Sequence, residues 1–145
     1  MKAPALLTSL ILTLLPLHAS AVTLAYDTVY DDRSRSLATV ACSDGRNGLL
    51  TRNFTTFGSL PSFPRIGGAQ AITGWNSSAC GTCWEVTYTN SSGIAKSLNI
   101  TAIDVAGAGF NLAQVAMDEL TNGHAVEFGR VEVTSRQVNA SACGL

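Results

Sequence analysis

Two closely spaced cysteines constrain this chain more than any other feature. Cys80 and Cys83 sit inside the stretch Gly74 to Trp84, GWNSSACGTCW, which also holds both tryptophans, Trp75 and Trp84. The remaining cysteines are distant, Cys42 upstream and Cys143 near the C-terminus. Four cysteines allow three pairings. A Cys80–Cys83 bridge is the redox form of CxxC and belongs beside a thioredoxin-like βαβ unit, which the flanking sequence does not supply. A zinc site lacks its second CxxC. The outward pairings remain, Cys42–Cys80 with Cys83–Cys143 or the crossed version. Either closes long loops, and each native bridge in a small secreted domain contributes roughly 2–5 kcal/mol. The residues alone do not separate these two.

An oxidising compartment is also what the N-terminus implies. Lys2 gives a positive start, Leu6 to Leu17 is almost wholly apolar, and Ala19-Ser20-Ala21 has the small-x-small form of a cleavage site. The apolar run is shorter than the roughly 20 residues a membrane span needs. Residues 1–21 are therefore expected to be an export signal peptide, with 22–145 a single extracellular domain. Without Lys2 the chain carries eight basic and ten acidic side chains, a formal charge near −2, and only 13% of residues are charged. No basic patch exists to attract nucleic acid or an anionic membrane. A surface rich in small neutral polar groups suits a neutral partner such as a polysaccharide. Sequons at Asn53, Asn76, Asn90, Asn99 and Asn139 are candidate N-glycosylation positions in an exported chain.

Along the chain, Val22 to Tyr30 is β-branched and aromatic and reads as a first strand ending at the charged turn Asp31 to Ser34. Leu49 to Phe57 reads as another strand, and Gly58 to Gly68, with Pro61 and Pro64, as an irregular loop. Phe54, Phe57, Leu60 and Phe63 along it are expected to plug the core, with an exposed apolar patch as the alternative. Ala69 to Ile72 suggests one helical turn. Trp84 to Thr89 alternates, placing Trp84, Val86 and Tyr88 on one face. Ser97 to Ile103 follows as a strand that Asp104 ends. Asn111 reads as the N-cap of a helix stopped by Asn122-Gly123, and Val126 to Val138 returns to strand character. About six short strands and one real helix describe a mainly β protein, a small barrel.

Two regions carry candidate chemistry. In AIDVAGAGFN, Ala102 to Asn111, a carboxylate at a strand end meets a loop whose Gly107 and Gly109 allow close backbone approach. The first strand and its turn alternate Tyr26 and Tyr30 with Asp27, Asp31 and Asp32. Tyrosines stack on sugar rings and carboxylates accept sugar hydroxyls. Asp27 and Asp104 together would make an inverting glycosidase pair if held roughly 6.5–9.5 Å apart. No catalytic Ser/His/Asp set and no metal-ligand spacing is present, and no cofactor is implied.

These segments resemble the cerato-platanins, small secreted proteins of filamentous fungi. The resemblance spans YDTVYDD (Tyr26 to Asp32), SRSL and VACSDG (Ser34 to Gly45), GSLPSFPRIGG (Gly58 to Gly68) and GWNSSACGTCW. It continues through AIDVAGAGFN, LTNGHA (Leu120 to Ala125) and the terminal SACGL. It implies a six-stranded double-ψ β-barrel, like that of expansins and related endoglucanases, with one or two short helices. It also implies the bridges Cys42–Cys80 and Cys83–Cys143. By position, Asp104 matches the acid shared with expansins, Gly107, Phe110 and Asn111 the adjoining groove loop, and Tyr26, Asp27 and Tyr30 the opening motif. Two departures stand out. Val105 follows Asp104 where the family often has histidine, and the turn from Thr89 to Lys96 is longer and carries a sequon.

The expectation is a non-enzymatic protein binding chitin or N-acetylglucosamine oligomers, with cellulose a further candidate, loosening polysaccharides without cutting them. The resemblance adds an elicitor role in plant defence through a plant surface receptor, self-assembly at interfaces, and a place outside the cell and in the fungal wall. The alternatives are an inverting endoglucanase using Asp104 and Asp27, or a surface-active signalling protein that binds no sugar.

Overall fold

The computed structural model describes residues 20–145. The expected signal peptide lies outside them except at its end, where Ser20 and Ala21 pair through their backbones with Ser135 and Thr134. Six strands close a barrel: β1 (Ser20–Tyr26), β2 (Ile66–Ala69), β3 (Cys83–Thr89), β4 (Ala95–Val105), β5 (Phe110–Leu112) and β6 (Arg130–Val138). Their order around it is β1-β5-β2-β4-β3-β6. The pairs β1–β5 and β2–β4 are parallel and the others antiparallel. This is the double-ψ barrel expected, with two short helices, α1 (Gln114–Thr121) and α2 (Ala125–Phe128).

Alternation builds the interior. In β3, Val86 is fully buried, with Trp84 and Tyr88 packed against the same core. In β4 the stretch from Ile100 to Ile103 is buried on both faces, because the barrel lies on one side and the long loops on the other. Leu24, Ile66, Leu112 and Met117 complete the centre. Burying each such side chain contributes roughly 1.5–3 kcal/mol.

Between β1 and β2 the chain forms no strand. Leu49 to Phe57, expected as one, is instead a 3₁₀ turn at Leu50–Arg52, a left-handed Asn53, and the start of a second turn at Phe57–Ser59. Its apolar residues act as plugs: Phe57 and Leu60 are buried, and Phe54 and Phe63 pack against the core. The alternative of an apolar patch on this loop is thereby excluded. The expected irregular loop from Gly58 to Gly68 conceals β2. Gly67 and Gly68 run between β5 and β4, and a Cβ on Gly68 would stand 2.7 Å from the Val105 carbonyl oxygen, closer than packed atoms allow. The helical turn expected over Ala69 to Ile72 is the end of β2 followed by a hydrogen-bonded turn.

The bridges resolve the choice left open by the sequence. Cys42 pairs with Cys80 and Cys83 with Cys143, with Cα separations of 5.4 and 5.8 Å. The first fastens the long β1–β2 excursion to the turn before β3. The second fastens the C-terminal turn Ala140–Cys143 to the start of β3.

Candidate functional site

The 3₁₀ turn Thr28–Asp31 organises the site. Asp27 caps it, its Oδ1 accepting from the Val29 N–H at 2.9 Å. The turn reverses the chain so that Tyr30 enters the core, where its ring packs 6.0 Å from that of Phe57. The first strand accordingly ends at Tyr26, not at the expected Tyr30. Asp31, next in the turn, reaches the start of α1 and accepts from the Gln114 N–H at 3.0 Å and the Val115 N–H at 3.1 Å. Asn111, expected to cap that helix, lies in β5, and the residue at the cap position, Ala113, offers no side-chain acceptor.

Tyr30 and the end of β4 together hold Asp104. The Tyr30 hydroxyl donates to Asp104 Oδ2 at 3.0 Å. Asp104 Oδ1 accepts from the Ala41 and Val105 N–H groups at 3.0 and 2.9 Å. A carboxylate has about four lone-pair positions. Three are occupied, so the half-buried group is fixed in orientation and keeps one acceptor position on Oδ2. Burial, and then the charge of Asp104, push the Tyr30 phenol well above its ordinary value, so it stays a donor. Asp27 stands at the head of the same turn, exposed, with its Oδ1 engaged by the Val29 N–H.

Beside this cluster lies a shallow concavity of about 440 Å³. Tyr26, Gly107, Phe110 and Asn111 line it, together with Val105 and Arg130. The seven expected site residues thus fall into two adjoining groups. Four line the concavity, whereas Tyr30 and Asp104 are bonded to each other and Asp27 caps the turn that carries Tyr30. Phe110 is buried and serves as floor, its ring meeting Trp84 edge-on at 5.9 Å. Arg130 was not expected. It opens β6 opposite Ala25 of β1, and no local sequence pattern marks that position. Among the described residues, no group of three histidine, cysteine or acidic side chains is placed to hold a metal.

A small disulfide-bonded double-ψ barrel with one braced carboxylate beside an open concavity defines a class of compact β proteins. Comparison narrows it. The cerato-platanin family model matches residues 22–145, and the chain belongs to the cerato-platanin family. It is 49% identical over 127 residues to the heat-stable 19 kDa antigen of Coccidioides immitis, covering 88% of this chain and 84% of that protein. The crystal structure of cerato-platanin 2 from M. perniciosa superposes with a TM-score of 0.83 at 54% identity, over 87% of this chain and 100% of the other. The solution structure of the fungal elicitor cerato-platanin superposes with a TM-score of 0.72 at 39% identity, over 84% and 96% of the two chains.

Proposed function

We propose that this protein acts outside the cell as a non-hydrolytic binder of N-acetylglucosamine oligomers and chitin, with cellulose a further candidate partner. By competing for hydroxyl and amide hydrogen bonds it loosens contacts between polysaccharide chains. The observation that carries this reading is the braced Asp104, whose chain neighbour Val105 lines the concavity together with Tyr26, Gly107 and Asn111. Oδ2 retains one acceptor position for a sugar hydroxyl. The Tyr26 ring offers a face for a pyranose, and Asn111 offers an amide.

The same geometry speaks against hydrolysis. A general acid must carry a proton to the leaving oxygen, but three donors already point at Asp104, and no carboxylate lines the concavity itself. A role in eliciting plant defence through a surface receptor is proposed beside sugar binding, since one structural relative is described as a fungal elicitor.

The test is an NMR titration of the oxidised protein with chito- and cello-oligomers, comparing the parent with Asp104→Asn and Tyr26→Ala. Asparagine keeps one oxygen for the Ala41 and Val105 amides, so the fold is retained while the charge is lost. Saturable shifts at Tyr26, Gly107 and Asn111, weakened at least tenfold in both variants, support the reading. Unchanged titration in the variants would remove the site. New reducing ends from soluble glucan, abolished in Asp104→Asn, would favour the endoglucanase alternative.

A further inference from the structure

A second concavity, about 600 Å³, lies away from Asp104, between the β3–β4 hairpin and the two helices. Its lining combines three rings with polar groups: Tyr88, Phe128 and His124, with Asn90, Ile94 and Lys96 around them. The Tyr88 and Phe128 ring centroids stand 6.4 Å apart, and His124 stacks on Phe128 at 5.4 Å. Phe128 is 41% exposed and Ile94 66% exposed, so the platform and its rim present apolar surface to water. Asn90 opens the sequon Asn90-Ser91-Ser92 at the head of this hairpin.

We propose that Asn90 is an N-glycosylation site whose first N-acetylglucosamine lies on the Tyr88–Phe128 platform, making the glycan part of the folded structure. The proposal rests on the export reading given above. Three observations carry it. Asn90 Oδ1 accepts from the Ser92 and Ile94 N–H groups at 3.0 and 2.9 Å, so the turn uses only the oxygen and leaves Nδ2 free for substitution. Tyr88 stands two residues before Asn90, and both line the same concavity. Residues two apart along an extended chain are separated by about 7 Å, close to the width of one pyranose ring. The other four sequons have Thr51, Gly74, Ser97 and Gln137 at the equivalent position, none of them aromatic.

The donor is an oligosaccharide linked to a lipid pyrophosphate. The bond between C1 of the sugar and the pyrophosphate oxygen breaks, and a bond between C1 and Asn90 Nδ2 forms. The amide loses one proton, and the lipid pyrophosphate leaves with the bonding electrons. The first sugar then covers Phe128 and the exposed edge of Tyr88, where its C–H face replaces water.

The test uses the chain secreted from a yeast host, once behind its own N-terminus and once behind the host's own leader. Peptide mass mapping after glycan release reads occupancy at Asn90. The Ser92→Ala variant removes the sequon while leaving Asn90 and its turn bonds in place. The expected result is an occupied Asn90 and a Tm roughly 2–5 °C above that of Ser92→Ala, a gap that survives trimming to one sugar. The gap should vanish when both proteins are made in a bacterium without the transferase, and shrink when Phe128→Ala is added to each. An unmodified Asn90 in protein recovered behind the host leader would overturn the proposal. So would a gap indifferent to Phe128→Ala. Failure of export behind the native N-terminus alone would count against the export reading and leave the host-leader result to decide the glycan.

Discussion

Replacing Asp31 by alanine tests how the turn and the helix are joined. Helix α1 has eight residues, and Ala113 at its cap position has no side-chain acceptor. Asp31 supplies both missing bonds, to Gln114 N and Val115 N, and places its charge at the positive end of the helix. A capping bond is worth about 1 kcal/mol and the charge about 0.3–1 kcal/mol. Asp31→Ala should therefore destabilise the protein by about 2–3 kcal/mol, and Asp31→Asn, which keeps one oxygen, by about half as much. With an unfolding entropy of about 2.1 cal/mol/K per residue over roughly 125 residues, 1 kcal/mol corresponds to about 4 °C, so alanine should lower Tm by about 8–12 °C. Urea unfolding with the disulfides intact, followed by circular dichroism, measures this, and the denaturant slope should not change. Because Tyr30 belongs to the same turn, the amide resonances of Ala41 and Val105, both bonded to Asp104, should move in the alanine variant. A loss below about 0.5 kcal/mol would refute the capping role.

Further outcomes follow from other contacts in the structure. Tyr30→Phe removes the hydroxyl bond to Asp104 and should lose about 1.5 kcal/mol, the low end for a bond to a charged group, since Asp104 keeps access to water. The raised Tyr30 phenol favours the folded state fully below pH 10, its ordinary value, and that contribution is lost as pH rises beyond it; Tyr30→Phe should lack this alkaline component in urea titrations across that range. The Cys42–Cys80 and Cys83–Cys143 bridges span 38 and 60 residues, and loop-closure entropy assigns each about 4 kcal/mol, so removing either cysteine pair should lower stability by that order and reducing both should unfold the domain on heating to physiological temperature. Trp75, 63% exposed, donates its ring N–H to Asp44 at 2.7 Å, and that bond holds the Asp44 carboxyl below its ordinary value of 3.8; its fluorescence should shift as pH falls below that value, and Asp44→Asn should abolish the step.

What the sequence disclosed and what it concealed divide along a physical line. Trp84 to Thr89 was legible because alternation within one strand is a local pattern that the barrel interior uses directly. Asn122-Gly123 was legible because a helix stop depends on a left-handed residue at that point, and Asn122 adopts it at φ 53°. The start of the same helix was not, because its capping group comes from Asp31, 83 positions earlier, and no local pattern encodes that meeting. Leu49 to Phe57 misled for a related reason: its apolar and β-branched residues meet strand preference, but they are spent one at a time as plugs for a core built elsewhere. β2 was hidden because Gly67 and Gly68 are there for the passage of neighbouring backbones, a demand that reads locally as looseness. The site shares this character. Resemblance singled out Asp104, Tyr30 and Tyr26 by position, but nothing local says that a tyrosine 74 residues away orients the carboxylate or that Arg130 joins the lining of the concavity. The crossing of strands brings these groups together. A substitution that leaves all of these side chains intact but widens the β4–β2–β5 crossing, such as Gly68→Ala, should therefore disturb Asp104 and the concavity as surely as a change within them.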